Sequence, residues 1–185
     1  MNVLDFVLKI DNVLPDDICD ELIKLFEESD HKERLEVQGG YPNWTNLFIC
    51  NHHPKAEQKL HNVYLAVARK YQEWLGEYGR CFNTRDFEFE GSNIKKYVGG
   101  TDDVYKRHAD VASLETSRRF LAILFYLNDD FEGGETIFYP EMSIRPKKGS
   151  VVVFPPYWLF PHEGTPVIKG EKYIMSTYCL WNYRG

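Results

Sequence analysis

The stretch that decides the fold runs from Tyr97 to Asp110 and reads Tyr-Val-Gly-Gly-Thr-Asp-Asp-Val-Tyr-Lys-Arg-His-Ala-Asp. Its last three residues, His108-Ala109-Asp110, place an imidazole and a carboxylate two positions apart. In an extended strand alternate side chains lie on the same face, so these two groups would point in one direction. They are two of the three ligands of a facial metal triad, which needs one further histidine.

A single His-x-Asp pair is weak evidence for a metal site. With 6 histidines and 28 acidic residues in 185, about one such pair is expected by chance. His31-Lys32-Glu33 has the same pattern, follows a helical segment and precedes no matching set of residues. His108-Ala109-Asp110 differs because it opens a series of motifs that continues to the end of the chain.

Composition limits the class of protein. At 185 residues the chain is expected to form one domain over residues 1–185. A hydrophobic content of 43% and an aromatic content of 15% exclude a disordered chain and suit a β-rich fold with a lined pocket. The net charge of −6 argues against a nucleic-acid partner. No apolar run approaches a membrane span, so we expect no membrane partner and a cytoplasmic location.

The cysteines lie far apart and include no Cys-x-x-Cys pair; they are Cys19, Cys50, Cys81 and Cys179. We interpret them as reduced thiols of a cytosolic protein that mostly serve in packing. The alternative is a zinc site, although its spacing fits no standard template; its ligands would be Cys50, His52, His53 and His61.

The N-terminal part of the chain predicts helices that support a sheet, over about residues 14–79. Val3 to Val13 alternates loosely and predicts a strand. Leu14 to Glu28 predicts a helix with acidic residues in its first turn, and Pro54 to Tyr78 predicts a longer one with proline at its start.

Between these helices the sequence predicts a strand pair around Gly39-Gly40. Three aromatic residues in this region are surrounded by polar ones; they are Tyr41, Trp44 and Phe48. They serve either as ordinary packing under a loop or as a lid that faces a substrate.

The remainder of the chain predicts short strands separated by Gly, Pro and Asp. These strands are Asp86 to Phe89, Asn93 to Tyr97, Val104 to His108, Phe120 to Leu127, Glu135 to Tyr139, Met142 to Arg145, Ser150 to Phe154 and Lys172 to Trp181. The pattern predicts a mainly β (α+β) fold, a double-stranded β-helix of the jelly-roll or cupin-like barrel type, buttressed by the N-terminal helices. Its catalytic core is expected over about residues 86–182.

His162 and Lys172 complete the pattern. His162 is the remaining histidine of the C-terminal half, and a jelly roll can bring it to the same metal as His108. Lys172 begins the last strand, where it shares a face with Ile174, Ser176 and Tyr178. If that face looks inward, the buried ammonium needs a charged partner, which a dicarboxylate cosubstrate could provide.

With these residues in place the C-terminal half resembles the 2-oxoglutarate- and Fe(II)-dependent dioxygenases, in particular their prolyl 4-hydroxylase-like branch. The matching elements follow the family's order over roughly residues 90–182; they are Tyr97, Tyr105-x-x-His108-x-Asp110, Arg119, Tyr126-Leu127-Asn128, Gly133-Gly134-Glu135-Thr136, Pro146 to Gly149 with Val153-Phe154, His162 and Lys172.

The resemblance implies the roles of individual residues. Fe(II) would be bound by His108, Asp110 and His162, and Lys172 would pair with the distal carboxylate of 2-oxoglutarate. The further candidates are Tyr97, Tyr126 and Ser176 for the cosubstrate, and Tyr105 and Arg119 near the target. Trp158, in the aromatic turn before His162, is either packing or a wall of the target pocket.

The implied activity is a hydroxylase that converts 2-oxoglutarate and O2 to succinate and CO2 while it inserts oxygen into a C–H bond. Ascorbate would be a supporting reductant. Related halogenases lack the carboxylate that Asp110 supplies, so its presence favours hydroxylation. The expected target is a prolyl residue in a peptide or protein; a small-molecule substrate such as a free amino acid is the alternative.

Two departures from the family pattern bear on the target. Ala122 stands where the family often has threonine, and the segment Val111 to Ser117, which often covers the target in peptide hydroxylases, is short. Two other classes of function stay open at this point. One is a cupin-like metal-binding or isomerase domain that does not use 2-oxoglutarate, and the other is a binding module without catalysis.

Overall fold

The computed structural model describes residues 2–36, 43–81, 87–139 and 141–182. Helices occupy the N-terminal part; they are α1 (Asp16–Glu28), α2 (Ile49–His52) and α3 (Pro54–Trp74), with 3-10 turns at Val3–Phe6 and Tyr78–Cys81. The strands are β1 (Leu8–Ile10), β2 (Glu33–Glu36), β3 (Asn43–Phe48), β4 (Phe87–Phe89), β5 (Asn93–Val98), β6 (Tyr105–His108), β7 (Arg119–Tyr126), β8 (Glu132–Gly133), β9 (Thr136–Phe138), β10 (Met142–Ile144), β11 (Val151–Phe154), β12 (His162–Gly164), β13 (Val167–Lys169) and β14 (Glu171–Trp181).

The strands form a major and a minor antiparallel sheet. The major sheet has the order β1-β11-β7-β14-β5-β3-β2, with β4 beside β14. The minor sheet has the order β10-β9-β12-β6, and β13 pairs with β8 at the rim. Neighbours in both sheets come from distant parts of the sequence, as in a jelly roll, so the expected mainly β fold is confirmed.

Strict alternation along the central strands divides the core into two parts. On β14, Tyr173 and Met175 pack toward the helices, whereas Ile174 packs into the space between the two sheets. On β7, Phe125 belongs to the helix-facing cluster and Tyr126 to the inner one. Since side chains alternate with a period of two, each strand contributes to both clusters.

The helices cover the outer face of the major sheet. Leu22 and Phe26 of α1 pack against it, as do Tyr64 and Tyr71 of α3. These residues recur at helical spacing, so each helix presents one apolar face to the sheet. The other face of the major sheet is thereby left to form the interior of the jelly roll.

Several boundaries differ from the expectations. The strand predicted over Val3 to Val13 is shorter, because Asn2 and Asp5 form a capping box that winds the first residues into a 3-10 turn. The helix predicted to Tyr78 ends at Trp74. The short strands β8, β12 and β13 lie where the sequence indicated turns or loops, since too few residues pair in them to produce a visible alternation.

Some expectations fall on residues outside the described ranges, namely Gly39-Gly40, Tyr41 and Asp86. The flanking strands β2 and β3 do pair antiparallel, as a strand pair at that place requires. Trp44 is buried against the rings of Tyr97 and Tyr105, inside the jelly roll. In the part of the chain described here, no helix is both long and apolar enough to cross a membrane.

Gly149 joins the first helix to the sheets. Its carbonyl oxygen accepts hydrogen bonds from the backbone N–H groups of Val13 and Leu14, and its own N–H donates to Tyr126. Its φ is +74°, and a Cβ there would overlap the carbonyl oxygen of Leu14. Only glycine avoids both the left-handed strain and the overlap.

We therefore predict that Gly149→Ala lowers the free energy of unfolding by about 3 kcal/mol, from left-handed strain plus overpacking. Gly76→Ala is the matched control, because Gly76 has a φ of +59° and open space around its Cα. The control should cost only about 1 kcal/mol. Urea denaturation of both variants measures the difference, and equal losses would contradict the close approach.

Candidate metal centre and active site

Two neighbouring strands bring the three predicted metal ligands together. β12 pairs with β6 so that His162 stands opposite His108, and Asp110 follows two residues after His108. The His108 Nε2 lies 3.4 Å from Asp110 Oδ1, and the His162 Nε2 lies 3.7 Å from Asp110 Oδ2. Neighbouring ligands of one octahedral ion at about 2.1 Å would be roughly 3 Å apart, so the group fits a metal after a small contraction.

Backbone hydrogen bonds fix the orientation of both imidazole rings. The Nδ1 of His108 lies 2.7 Å from the carbonyl oxygen of Lys106, and that of His162 lies 3.1 Å from the carbonyl oxygen of Phe160. A carbonyl can only accept, so Nδ1 carries the proton in each ring. The two Nε2 atoms are left facing Asp110, and these are the nitrogens that would bind a metal in place of any proton they carry.

Asp110 is held as a carboxylate at the centre of the group. Its own burial would raise its pKa, but the charge of His162 and the hydrogen bond from His108 outweigh burial and hold the pKa well below its usual range. The Tyr178 hydroxyl donates to Oδ1 over 3.0 Å. Burial lowers the pKa of His162 although the charge of Asp110 opposes it, which favours the loss of the ring proton that metal binding would require.

Arg119 lies behind the metal ligands and outside the residues that line the pocket. Its Nε donates to Glu90 over 2.6 Å, and its Nη1 donates to the backbone carbonyl of Asp110 over 3.2 Å. The guanidinium also lies 3.9 Å from the Tyr178 ring centre. Arg119 therefore supports the position of Asp110, a role that sequence alone did not indicate for it.

Lys172 is buried at the opposite side of the pocket. Its ammonium donates to the carbonyl oxygen of Gly134 over 2.7 Å and lies 5.7 and 5.8 Å from the ring centres of Tyr97 and Tyr126. Burial lowers the pKa of Lys172 to about 8, which the charge of Glu135 only partly offsets. Within the described ranges no carboxylate forms an ion pair with this ammonium, so an anionic ligand is the partner it lacks.

A cavity between the sheets connects these groups. Most predicted site residues line it; they are Tyr97, Tyr105, His108, Asp110, His162, Lys172 and Ser176. Tyr126 lies beside the cavity, and its hydroxyl donates to Thr136 over 2.7 Å. Trp158 is 74% exposed and lies outside the lining.

Two residues around the cavity have local contacts that fix them. The Ser176 hydroxyl donates to the Asn93 side chain over 2.8 Å. The Tyr105 ring stacks on His108 with 3.4 Å between ring centres. Sequence reasoning missed the contact of Tyr178 with Asp110, although the strand alternation had placed Tyr178 on the same face as Lys172.

The alternative zinc ligands do not meet. His52 stacks on His31, His53 contacts Ser29, and His61 lies against Phe89. Over the residues that the structure describes, the triad is the one group of three or more potential ligands close enough to share an ion. The hypothesis of a zinc site at Cys50 is therefore wrong, and the His31-Lys32-Glu33 pattern belongs to no such group.

Comparisons with known proteins agree with this geometry. Residues 92–180 match the model of the 2OG-Fe(II) oxygenase superfamily. The chain is 26% identical over 170 residues to procollagen-lysine,2-oxoglutarate 5-dioxygenase 1 of Mus musculus, covering 86% of this chain and 22% of that protein. It is 31% identical over 117 residues to probable prolyl 4-hydroxylase 9 of Arabidopsis thaliana, covering 47% of this chain and 39% of that protein.

Solved structures show the same architecture. A viral collagen prolyl hydroxylase from Paramecium bursaria Chlorella virus-1, in its 2OG complex, aligns with a TM-score of 0.67 and 26% identity over 96% of this chain and 97% of that one. A Trichoplax adhaerens prolyl hydroxylase bound to a peptide of hypoxia inducible factor aligns with a TM-score of 0.74 and 16% identity, covering 96% and 85% of the two chains. The latter likeness supports the fold alone.

We predict that Asp110→Ala weakens the binding of Fe(II), or of Co(II) as an air-stable substitute, by at least about 100-fold. The variant removes the charged ligand and leaves two neutral imidazoles. Isothermal titration of the metal measures the loss, and Asp102→Ala is the control because Asp102 is exposed on a nearby loop. Unchanged affinity in the Asp110 variant would contradict the assignment of the triad.

Proposed function

We propose that this chain, whose residues 92–180 belong to the 2OG-Fe(II) oxygenase superfamily, is a 2-oxoglutarate- and Fe(II)-dependent hydroxylase that acts on a prolyl residue in a peptide or protein. The observation that carries the proposal is that one cavity is lined by both a facial triad and a buried lysine, Lys172, that has no carboxylate partner among the described residues. The chain spans less than half the length of the curated relatives described above, so the activity is proposed for this chain on its own residues.

The donor groups fit both components of the cofactor system. His108, Asp110 and His162 would hold Fe(II), because two neutral imidazoles and one carboxylate suit this ion and leave coordination positions open. Lys172 would neutralise the distal carboxylate of 2-oxoglutarate. Tyr97 lines the cavity beside the Lys172 ammonium and would flank the same carboxylate.

Three further residues have supporting roles in this proposal. Tyr126 would hold the Lys172 side of the pocket through its bond to Thr136, and Ser176 would contact the cosubstrate from β14. Arg119 would keep the Asp110 backbone in place, since it donates to that carbonyl.

When bound, Fe(II) and 2-oxoglutarate would supply the chemistry that couples the reduction of O2 to oxidation of an unactivated C–H bond. The protein would orient the metal ligands and exclude water from the cavity. The Tyr178 hydroxyl and the Arg119 guanidinium position Asp110, and the stacked ring of Tyr105 restricts the motion of His108. Aromatic and aliphatic side chains, including Phe154, line the cavity and exclude water from it.

The target is inferred from the relatives and from charge. The names of the Arabidopsis and viral relatives indicate a prolyl target, and that of the mouse relative a lysyl one. Lys95 lines the cavity and is buried, so its ammonium would repel a cationic lysyl side chain. A prolyl residue carries no such charge. Tyr105 would form a wall of the target site, and Trp158, exposed on the aromatic turn, would contact a longer peptide outside the cavity.

We also infer one catalytic domain over residues 1–185. The helices within about residues 14–79 would support the sheet, and the jelly roll within about residues 86–182 would carry the chemistry. The alternative of a cupin-like domain without 2-oxoglutarate is not favoured, because such a domain has no use for a buried Lys172.

Anaerobic addition of Fe(II) and 2-oxoglutarate should produce the weak visible metal-to-ligand charge-transfer band of the chelated cosubstrate. We expect Lys172→Ala to weaken 2-oxoglutarate binding roughly 10- to 100-fold, because an ion-paired hydrogen bond is lost. The exposed Lys169 gives the control variant Lys169→Ala. Absence of the band in the folded wild-type protein would refute the proposal and favour the cupin-like reading.

The affinity for 2-oxoglutarate should also depend on pH. Lys172 is protonated below a pKa of about 8 and neutral above it. At higher pH the binding of the cosubstrate must therefore be accompanied by the uptake of one proton from solvent by Lys172. The dissociation constant is expected to rise about tenfold per pH unit above pH 8. Lys172→Arg keeps its charge and should show no such rise. An equal rise in both proteins would place the titrating group elsewhere.

Prolyl peptides should gain one oxygen atom per 2-oxoglutarate consumed. Mass spectrometry of the peptide together with succinate quantification tests this stoichiometry, and Asp110→Ala serves as the inactive control. If succinate forms but no prolyl peptide increases its rate of formation, the protein is a 2-oxoglutarate oxygenase whose target is not a prolyl residue.

A further inference from the structure

Lys95 is a buried lysine for which the proposed function names no ligand. It lies on β5, where alternation turns it into the jelly roll beside Tyr97, and its ammonium group lines the cavity. The residue is only 8% exposed. Across the described residues, no hydrogen bond or ion pair of this ammonium is found; its contacts are the faces of Trp44 and Tyr105, whose ring centres lie 5.3 and 6.0 Å away.

Two more buried hydrogen-bond donors near Lys95 have no acceptor among the residues that the structure describes. Asn46 stands opposite Lys95 in the register of β3 and β5 and is fully buried, and both polar atoms of its side chain are unpaired. The indole N–H of Trp44, on the same inward face of β3, is also unpaired. Of these three groups Lys95 lines the cavity, whereas Asn46 and Trp44 lie outside its lining. The Lys95 ammonium is therefore the donor that an anionic oxygen ligand in the cavity would reach, and the two unpaired N–H groups beside it leave the region short of acceptors.

The charged groups around Lys95 do not supply that anion. Those that act on it are Asp110, Arg119 and Glu90. Arg119 and Glu90 are paired with each other, and Asp110 faces the two metal-binding imidazoles. Burial lowers the pKa of Lys95 to about 8, so the group is mostly charged at neutral pH and lacks a counter-ion of its own.

The charge balance of the loaded site points the same way. A divalent metal, the Asp110 carboxylate, a doubly charged cosubstrate and Lys172 together carry no net charge. Lys95 then adds one positive charge. The other carboxylate in the lining, Glu163, accepts a hydrogen bond from the Tyr139 hydroxyl, and among the described residues it forms no ion pair with Lys95. It lies beside Trp44 and Tyr105, whereas Lys172 lies at the Gly134 side, so the two ammonium groups serve different ligands.

We propose that Lys95, supported by Asn46 and Trp44, forms a subsite for a carboxylate of the target, so that the substrate is an acid whose carboxylate lies near the oxidised C–H bond. The inference rests on the proposed hydroxylase function and narrows its substrate class. The carboxylate comes from one of two sources: the α-carboxylate of a C-terminal or free prolyl unit, or the side chain of an acidic residue next to the proline.

Matched acid and amide probes distinguish these sources. The first pair is N-acetyl-L-proline and N-acetyl-L-prolinamide; the second is the blocked peptide acetyl-Gly-Pro-Glu-Gly-amide and its glutamine counterpart. Each is titrated calorimetrically and anaerobically into the protein loaded with Fe(II) and 2-oxoglutarate. We expect one acid to bind roughly 10- to 100-fold more tightly than its amide, and Lys95→Met to abolish that preference.

The control variant is Lys96→Met, on the same strand but on the outer face, where Lys96 pairs with Glu27 and Glu171. It should keep the acid preference. Lys95→Met should also melt at a higher temperature than the wild type, because it removes a buried ammonium without a counter-ion. This shift shows that any loss of binding in the variant is not a loss of folding.

Two results would overturn the inference: equal binding of acid and amide in every wild-type pair, or loss of the charge-transfer band in Lys95→Met, which would assign Lys95 to the cosubstrate. Failure of the wild-type protein to form the band instead refutes the proposed hydroxylase function. In that case the same probe pairs are titrated into the metal-free protein, and a preference for the acid that Lys95→Met abolishes would show that Lys95 binds carboxylates independently of the hydroxylase function.

Discussion

The register between β6 and β12 is the constraint on which the rest of the site depends. His162 meets His108 only because these strands pair residue against residue at that point. A slip of one position would turn the His162 side chain to the opposite face of the minor sheet and separate the ligands. β9 pairs with the other edge of β12, which holds His162 opposite Phe138 and leaves little freedom for a slip.

The major sheet serves the same end from the other side of the cavity. Its outer face is sealed by α1 and α3, so the alternating residues of β14 have one apolar environment outside and a mixed one inside. The inward positions can then hold Lys172 and Tyr178, because apolar packing on the outer face offsets the free-energy cost of burying their polar groups. Strands thus place Lys172, His108 and His162 on opposite walls, whereas Asp110 lies two residues beyond the end of β6.

The sequence predicted the parts of the site that are determined by order and spacing. His108, Asp110 and His162 follow from the motif series, and Lys172 from the alternation of the last strand. Lys95 was not predicted, because a lysine in a strand is normally a surface residue and only burial identifies it as exceptional. The pairing of Arg119 with Glu90 also required the structure, since Arg119 begins β7 and Glu90 follows β4, and no local pattern encodes the proximity of these two segments. Val3 to Phe6 became a turn because a local cap outweighed loose alternation.

The two uncompensated ammonium groups give the folded protein a dependence on its small ligands. Each lowers the stability of the empty protein, and an anion bound beside it would remove this cost. A ligand at 100 times its dissociation constant adds about 2.7 kcal/mol to the stability of the state that binds it, a large part of the margin of a typical domain. The lifetime of this protein in a cell would therefore follow the supply of metal, 2-oxoacid and substrate, and a starved cell would retain less of it.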